Sequence, residues 1–307
     1  MKFGRLPKNG KEFSNAFEKR VKQTIAAHKL LAGRTNLVVA ASGGKDSTTV
    51  MHLLKRLGYD FCALTVDTHI GCYTKENLLN VKSYCKENNI PLKVIDFHDE
   101  FGYSVQYLHE AMKEAGLNIK SCTVCGVPRR YLLNKYTRSM GADVVVTGHN
   151  LDDECQSIVM NFLRNNLQLS ARMGPMVGAI EDSRFIPRVK PLYYLSNLEI
   201  EKYARIKGFP VAYNLCPCGD DAMRRHIRSY LDSIENTKPG TKLKMVEEFL
   251  RVLPRLREIN ASLEKIGACF GCGEPASNKL CKTCMILSKA QNGAGRMCGV
   301  GCGCKVI

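Results

Sequence analysis

Residues 36–54, NLVVAASGGKDSTTVMHLL, constrain the fold more than any other stretch of the chain. The apolar, largely β-branched run Leu37-Val38-Val39-Ala40 has the composition of a buried strand. It stops at Ala41-Ser42-Gly43-Gly44-Lys45-Asp46-Ser47, after which Val50, Leu53, Leu54 and Leu57 recur at i, i+3, i+4 and i+7 on one helix face. A strand, a glycine turn and a helix start together make an anion cradle. The glycines let consecutive backbone N–H groups converge without a Cβ in the way, and the helix terminus adds partial positive charge. Lys45 and the hydroxyls of Ser42 and Ser47 can complete the nest. A Walker A loop is excluded, because Val39 stands where its first glycine belongs and Asp46 follows the lysine. The GxGxxG of dinucleotide folds is absent from the turn as well.

Further along, the alternation continues. Residues 61–66, 92–97 and 143–147 have strand composition, and residues 77–87 and 104–115 have helical spacing. This predicts an α/β fold with a doubly wound, mainly parallel sheet, in which ligands bind beyond the carboxyl ends of the strands. Ser42, Asp67 and Gly148 all stand at such ends, so Asp67 and Gly148 join residues 41–47 as candidate nucleotide contacts. After Gly148 come His149, Asn150, Leu151, Asp152, Asp153 and Glu154. Asn150 suits an N-cap and acids suit the first turn of a helix. Three acids beside a strand tip that faces the nucleotide also favour Asp152 and Asp153, with Lys45, as catalytic groups or magnesium ligands.

Lysine and arginine number 45 against 29 acids, a net charge of +16, which suits a polyanionic partner. Arg164, Arg172, Arg184, Arg188 and Lys190 lie in a loop-rich stretch suited to a phosphate backbone, and Arg224, Arg225, His226 and Arg228 open a later helix. The N-terminus has no apolar leader, and no apolar run approaches ~18 residues, so neither secretion nor a membrane partner is expected.

Fifteen cysteines, several in CxxC pairs, point to metal ligands in a reducing, cytoplasmic setting rather than to disulfides. Cys269, Cys272, Cys281 and Cys284 form two knuckles with eight residues between them, four thiolates for a tetrahedral structural zinc. A tail of about forty residues needs such a staple. Cys122 and Cys125, in a loop expected to feed a helix, suit one metal or cluster. Cys62, Cys85 and Cys155 fall inside predicted elements as small core residues. Cys298, Cys302 and Cys304 end the chain without an assigned role. The expected organisation is a basic helical lead-in over 1–35 and a catalytic domain over 36–215. A basic helical segment packed on that domain follows over 216–265, broken at Pro254. A zinc-binding module with a Cys/Gly-rich tail occupies 266–307.

SGGKDS resembles the PP-loop of the ATP-pyrophosphatase superfamily, whose adenine-nucleotide-hydrolase-like fold splits ATP into AMP and pyrophosphate. Together with CTVCGVPRRYLLNK, TGHNLDDECQSIVMNFLR, the Cys216-Pro217 element before an arginine-rich helix, and the cysteine module, the chain is similar to tRNA 2-thiouridine synthetases of the TtuA type. That group includes the catalytic subunit of the cytoplasmic tRNA 2-thiolation complex, and the likeness covers residues 17–287. It implies a 4Fe–4S cluster on Cys122, Cys125 and a third cysteine, Cys216 or its neighbour Cys218, with one iron free for sulfur. It implies ATP and Mg2+ at the PP-loop, Zn2+ in the tail, tRNA as substrate, and a ubiquitin-like thiocarboxylate carrier or sulfide as sulfur donor. Relatives are often homodimers. The expected reaction adenylates the uridine 2-oxygen, after which sulfur displaces AMP. One of Asp152 and Asp153 carries the family's aspartate role. The chain departs from relatives in having no cysteine over residues 1–30, in Cys218, and in Pro128-Arg129 after CGV. A 2-thiocytidine or lysidine-type PP-loop enzyme, or a non-catalytic zinc-containing RNA-binding protein, remains the alternative.

Overall fold

The computed structural model describes residues 6–293 except residues 8, 179–183, 215, 219–221 and 261–265, so Cys298, Cys302 and Cys304 lie outside the described residues. In chain order, helix α1 (Gly10–Ala27) leads to β1 (Leu37–Ala40), α2 (Lys45–Arg56), β2 (Phe61–Asp67), α3 (Gly71–Glu87), β3 (Leu92–Asp96) and the short α4 (Phe97–Phe101). Next come α5 (Val105–Glu114), α6 (Ser121–Ser139), β4 (Val144–Val146), α7 (Leu151–Leu163), the short α8 (Leu167–Ala171), β5 (Met176–Val177), β6 (Arg188–Val189) and α9 (Asn197–Lys207). The chain continues through α10 (Ala222–Thr237), α11 (Thr241–Asn260), β7 (Gly267–Ala268), β8 (Pro275–Ala276) and α12 (Lys282–Gly293).

Six strands form one sheet in the order β3-β2-β1-β4-β6-β5, parallel except for β5. The chain runs outward from β1 through β2 to β3, then returns to place β4 on the other flank of β1. That reversal opens a crevice beyond the carboxyl ends of β1 and β4. The side-chain period of two assigns the faces. Leu37 and Val39 join α1, α2, α3 and α9 in one core, while Val38 turns to the opposite core with Leu64, Leu108, Met112 and Leu132. Helix α1 buries Phe13, Phe17, Val21 and Ile25, and Phe17 stacks on Tyr203 of α9 with ring centroids 4.2 Å apart.

Three expectations need correction. Helix α3 begins at Gly71, six residues before the helical spacing becomes legible, because its first turn carries few apolar residues. Cys122 and Cys125 lie on α6 itself and not in a loop before it, and the helix runs on through Gly126 and Pro128. Pro254 does not break α11, since it is exposed and its missing N–H leaves only one carbonyl, which water can reach.

The C-terminal module is tied into the domain. Ile286 and Ala290 of α12 are 1% and 0% exposed and share a core with Leu108 and Met112 of α5. Glu274 accepts from Asn134 at 3.2 Å and from Arg138 Nη1 at 3.0 Å. Among the described residues no helix is long and apolar enough to cross a membrane.

Because α12 completes a core rather than standing apart, Ile286→Ala is expected to lower the stability of the whole domain by about 2–5 kcal/mol. Urea unfolding followed by far-UV circular dichroism checks this. A single transition at lower midpoint is expected; an unchanged main transition with a separate early step contradicts it.

Candidate active site

The turn after β1 is fixed from within. Gly43 has φ +79°, and a Cβ there would lie 2.0 Å from the Asn77 carbonyl oxygen, so only glycine fits between the turn and α3. The Ser47 hydroxyl donates to the Gly44 carbonyl at 3.1 Å and accepts from the Ser42 N–H at 3.1 Å, stapling the turn to the start of α2. The N–H groups of Lys45, Asp46 and Ser47 have no carbonyl four residues back within the helix, which leaves them for an anion. Ala41 is 2% exposed and shapes the turn from beneath.

Gly148 follows β4 at the reversal point. A Cβ there would stand 2.8 Å from the Asp46 carbonyl carbon and 2.9 Å from the Ser47 nitrogen. This close approach brings Asn150 to the turn, where its amide donates to Asp46 at 3.1 Å and to Asn197 at 3.3 Å. Lys45 Nζ sits 2.9 Å from the Asp46 carboxylate and donates to Asn197 Oδ1 at 2.7 Å. Burial raises the Asp46 pKa above the usual carboxylate range; Lys45 opposes the rise and Asp153 adds to it.

The three acids of the β4 exit have separate tasks. Asp152 is 4% exposed, pairs with Lys242 at 2.5 Å and accepts the Asn197 N–H at 2.6 Å, while Lys242 also pairs with Asp232. Asp153 closes a capping box with Asn150: its N–H donates to Asn150 Oδ1 at 3.2 Å and its carboxylate accepts the Asn150 N–H at 3.4 Å. The capping role that Asn150 announces in the sequence therefore occupies Asp153. Glu154 is fully buried and accepts from Lys190 at 2.8 Å, Tyr193 at 3.1 Å and the Gly174 N–H at 3.0 Å, with His149 Nε2 at 3.0 Å. Burial alone would raise its pKa, but the His149 hydrogen bond and the Lys190 charge outweigh that and hold it at about 2.

This network revises the basic stretch expected to meet a phosphate backbone. Lys190 is buried against Glu154, Arg184 donates to the Ile266 and Gly267 carbonyls at 3.4 Å, and Arg188 donates to the Arg130 carbonyl at 3.4 Å. Arg164 and Arg172 are exposed. The sequence gives no periodic signal that would separate these two kinds of basic residue.

Gly44, Lys45, Asp46, Tyr73, Asp152 and Lys242 share a cavity of about 830 Å³. Asp67 does not line it; its carboxylate accepts the His69 N–H at 3.0 Å and stands with His69 and Asp96 at the ends of β2 and β3. Tyr73 lines the cavity from α3. Burial raises its phenol pKa, and after burial the largest influence is the Cys216 thiol, with Cys125 contributing too. Cys122 and Cys125, three apart on α6, lie on one helix face. Burial pushes the Cys125 thiol up; Arg129 opposes this, and Cys216 and Cys122 add to it. Burial raises the Cys218 thiol pKa, and Cys216, Cys125 and Cys122 add to the rise.

The two cysteine groups differ in spacing. Cys269, Cys272, Cys281 and Cys284 have all four sulfurs within 4.8 Å of one another. A tetrahedral ion with Zn–S bonds of about 2.3 Å separates its sulfurs by about 3.8 Å, and the Cys272 and Cys281 sulfurs are 3.8 Å apart. The Cys281 N–H points at Cys269 Sγ from 3.2 Å, as suits a thiolate. Among the described residues the group around Cys122 is not so tightly gathered. An all-thiol donor set is the kind that an iron–sulfur cluster takes, each thiolate on its own metal.

The PP-loop domain family matches residues 13–231. Over 272 residues the chain is 32% identical to the tRNA-5-methyluridine(54) 2-sulfurtransferase of Pyrococcus horikoshii, covering 89% of this chain and 84% of that protein. Over 315 residues it is 33% identical to cytoplasmic tRNA 2-thiolation protein 1 of Mus musculus, covering 99% and 73%. Among solved structures it is similar to the U34-tRNA thiolase NcsA from Methanococcus maripaludis with its 4Fe–4S cluster, with TM-score 0.76, 25% identity and coverage of 92% and 89%.

The depressed Glu154 pKa carries a stability signature. Its contribution is complete above the ordinary value of 4.5 and is lost as pH falls toward about 2. Glu154→Gln is expected to cost roughly 3 kcal/mol near pH 6 and to differ little from the parent near pH 2. Urea midpoints measured across that range check it; a gap that does not narrow on acidification contradicts it.

Proposed function

The chain belongs to the PP-loop family of tRNA 2-thiolation sulfurtransferases, and on that premise we propose that it adenylates the 2-oxygen of a tRNA uridine and replaces that oxygen with sulfur. The observation that supports this reading is the cavity in which Lys45 and Asp46 of the turn meet Asp152 from the exit of β4, in a chain that also carries Cys122 and Cys125 on one face of α6.

The N–H groups of residues 45–47 and the Lys45 ammonium bind the β- and γ-phosphates and stabilise the charge that grows on departing pyrophosphate. Lys45 is already aimed, since Asn197 holds its Nζ at 2.7 Å. The uridine 2-oxygen forms a bond to the α-phosphorus while the bond to pyrophosphate breaks. A sulfur nucleophile then adds at C2, and AMP leaves with the former 2-oxygen. Asp152 is the acid of the pair that faces the cavity, and through the Asn197 N–H and Lys242 it fixes the starts of α9 and α11 around the substrate. Magnesium enters with ATP, bound mainly through its phosphates.

Cys122, Cys125 and Cys216 are the residues that would hold a 4Fe–4S cluster, and the chemistry such a group supplies is an iron able to accept a sulfide-level ligand. Cys269, Cys272, Cys281 and Cys284 would hold zinc in a structural role. The net charge of +16 and the basic start of α10 serve tRNA. The target base is flipped into the crevice. Sulfur comes from a ubiquitin-like thiocarboxylate carrier or from sulfide, in the cytoplasm, as the names of the eukaryotic relatives suggest.

Anaerobically reconstituted protein given ATP, sulfide and unmodified tRNA is expected to yield 2-thiouridine by nucleoside mass spectrometry and to release pyrophosphate. Lys45→Ala and Cys216→Ala should each lower the rate by about 100-fold or more, and Cys281→Ser should lose bound zinc. Pyrophosphate release without 2-thiouridine, unchanged in Cys216→Ala, favours a PP-loop ligase without sulfur chemistry. Intact cellular function in Lys45→Ala, with no pyrophosphate released, favours an RNA-binding protein.

A further inference from the structure

Asn197, the first residue of α9, lines the cavity with Lys45 and Asp46, and the groups around its side chain decide which way its amide is turned. The Asp153 N–H donates to Asn150 Oδ1 at 3.2 Å, so the Asn150 amide nitrogen is the atom that faces Asp46 and Asn197. The Lys45 ammonium has only hydrogens to offer. Two donors, Lys45 Nζ at 2.7 Å and Asn150 Nδ2 at 3.3 Å, therefore meet Asn197, and the atom they meet is its Oδ1. The other end of that amide, Nδ2, carries two hydrogens and has no acceptor among the described residues. The backbone beneath it is held in place, because the Asn197 N–H donates to Asp152 at 2.6 Å and Ser196 and Glu199 close a capping box at the start of α9.

We infer that Asn197 is a direct phosphate ligand of ATP, its Nδ2 donating to the phosphate group that Lys45 also holds. The inference rests on the reading that ATP is split at this turn. The Asp46 carboxylate takes one side of the Lys45 ammonium, at 2.9 and 3.0 Å, and Asn197 Oδ1 takes another. When a phosphate displaces Asp46, the Asn197 contact stays and fixes where the ammonium sits. Nδ2 and Oδ1 belong to one planar amide, so the spare donor stands beside the lysine and reaches a second oxygen of the same phosphate. A carboxylate at this position would accept from Lys45 but turn a second acceptor toward the anion. The amide instead gives the lysine an acceptor and the phosphate a donor, and adds no charge to offset the ammonium. As pyrophosphate departs, charge grows on its oxygens, and a donor fixed beforehand stabilises that charge without reorganising.

The test measures MgATP affinity by calorimetry, without tRNA, on full-length protein. It compares the parent, Asn197→Ala, Lys45→Ala and the double variant, each first shown to be folded by circular dichroism. Asn197→Ala is expected to weaken binding by about tenfold, as loss of one hydrogen bond to a charged group does. A clear further loss should persist when Asn197→Ala is added to Lys45→Ala, because a direct contact does not act through the lysine. No further loss in that background would overturn the contact and leave Asn197 as a positioning residue for Lys45 alone. Asn197→Asp keeps an acceptor for Lys45 and suits the start of a helix; it should bind MgATP more weakly than the parent, and parent-level affinity would count against the donor as well. If Asn197→Ala binds MgATP as the parent does, while the parent releases pyrophosphate with tRNA, the role of Asn197 falls and the reaction stands. If the parent binds no MgATP, the nucleotide reading fails, and this inference with it.

Discussion

The site depends on how closely two strand exits approach where the sheet reverses. Gly148 leaves β4 within van der Waals reach of the first turn of α2, and any side chain at that position would enter the space held by Asp46 and Ser47. Gly43 makes the matching contact on the other side, against the Asn77 backbone. With no Cβ at either place, the unpaired N–H groups of α2, the Asn150 cap and the Asp152 wall converge on one crevice. Enlarging either glycine separates the phosphate cradle from the acids that frame it.

Electrostatics then organise the walls. Buried carboxylates are expensive unless paired, and here each has a cation: Asp152 with Lys242, Glu154 with Lys190, and Asp46 with Lys45. Two of these lysines come from elements far along the chain, so the pairs also close α11 and β6 onto the crevice. The Lys45–Asp46 pair differs, because it stands on the glycine turn itself, at the unpaired N–H groups of α2, where its lysine can exchange a carboxylate for a phosphate. With its pKa raised by burial, Asp46 gives up that partner at lower cost than Glu154 would.

Much of this was legible in the sequence because local chemistry and global topology agree. The run from Leu37 to Ser47 specifies strand, turn and helix without tertiary help, and the paired CxxC knuckles of the tail specify four gathered thiols. The two-residue strands β5 and β6 are too short for a period, and they exist because β4 offers an open edge. Glu154 and Lys190 look like surface charges until the fold brings them together from 36 residues apart. The choice between capping and chemistry at Asp152 and Asp153 needs side-chain direction, which a pair of adjacent acids does not encode. The packing of α12 into the core beside α5 was hidden for the same reason, since Ile286 and Ala290 follow a cysteine pattern that suggests a self-contained module.

The central claim is that the uridine 2-oxygen becomes the leaving oxygen of AMP in the crevice between β1 and β4. The most direct measurement uses tRNA carrying 18O at the uridine 2-position, with mass analysis of the products after a single turnover with ATP and sulfide. The account predicts that AMP gains the label and pyrophosphate does not. Label recovered in water or inorganic phosphate, with unlabelled AMP, would contradict it.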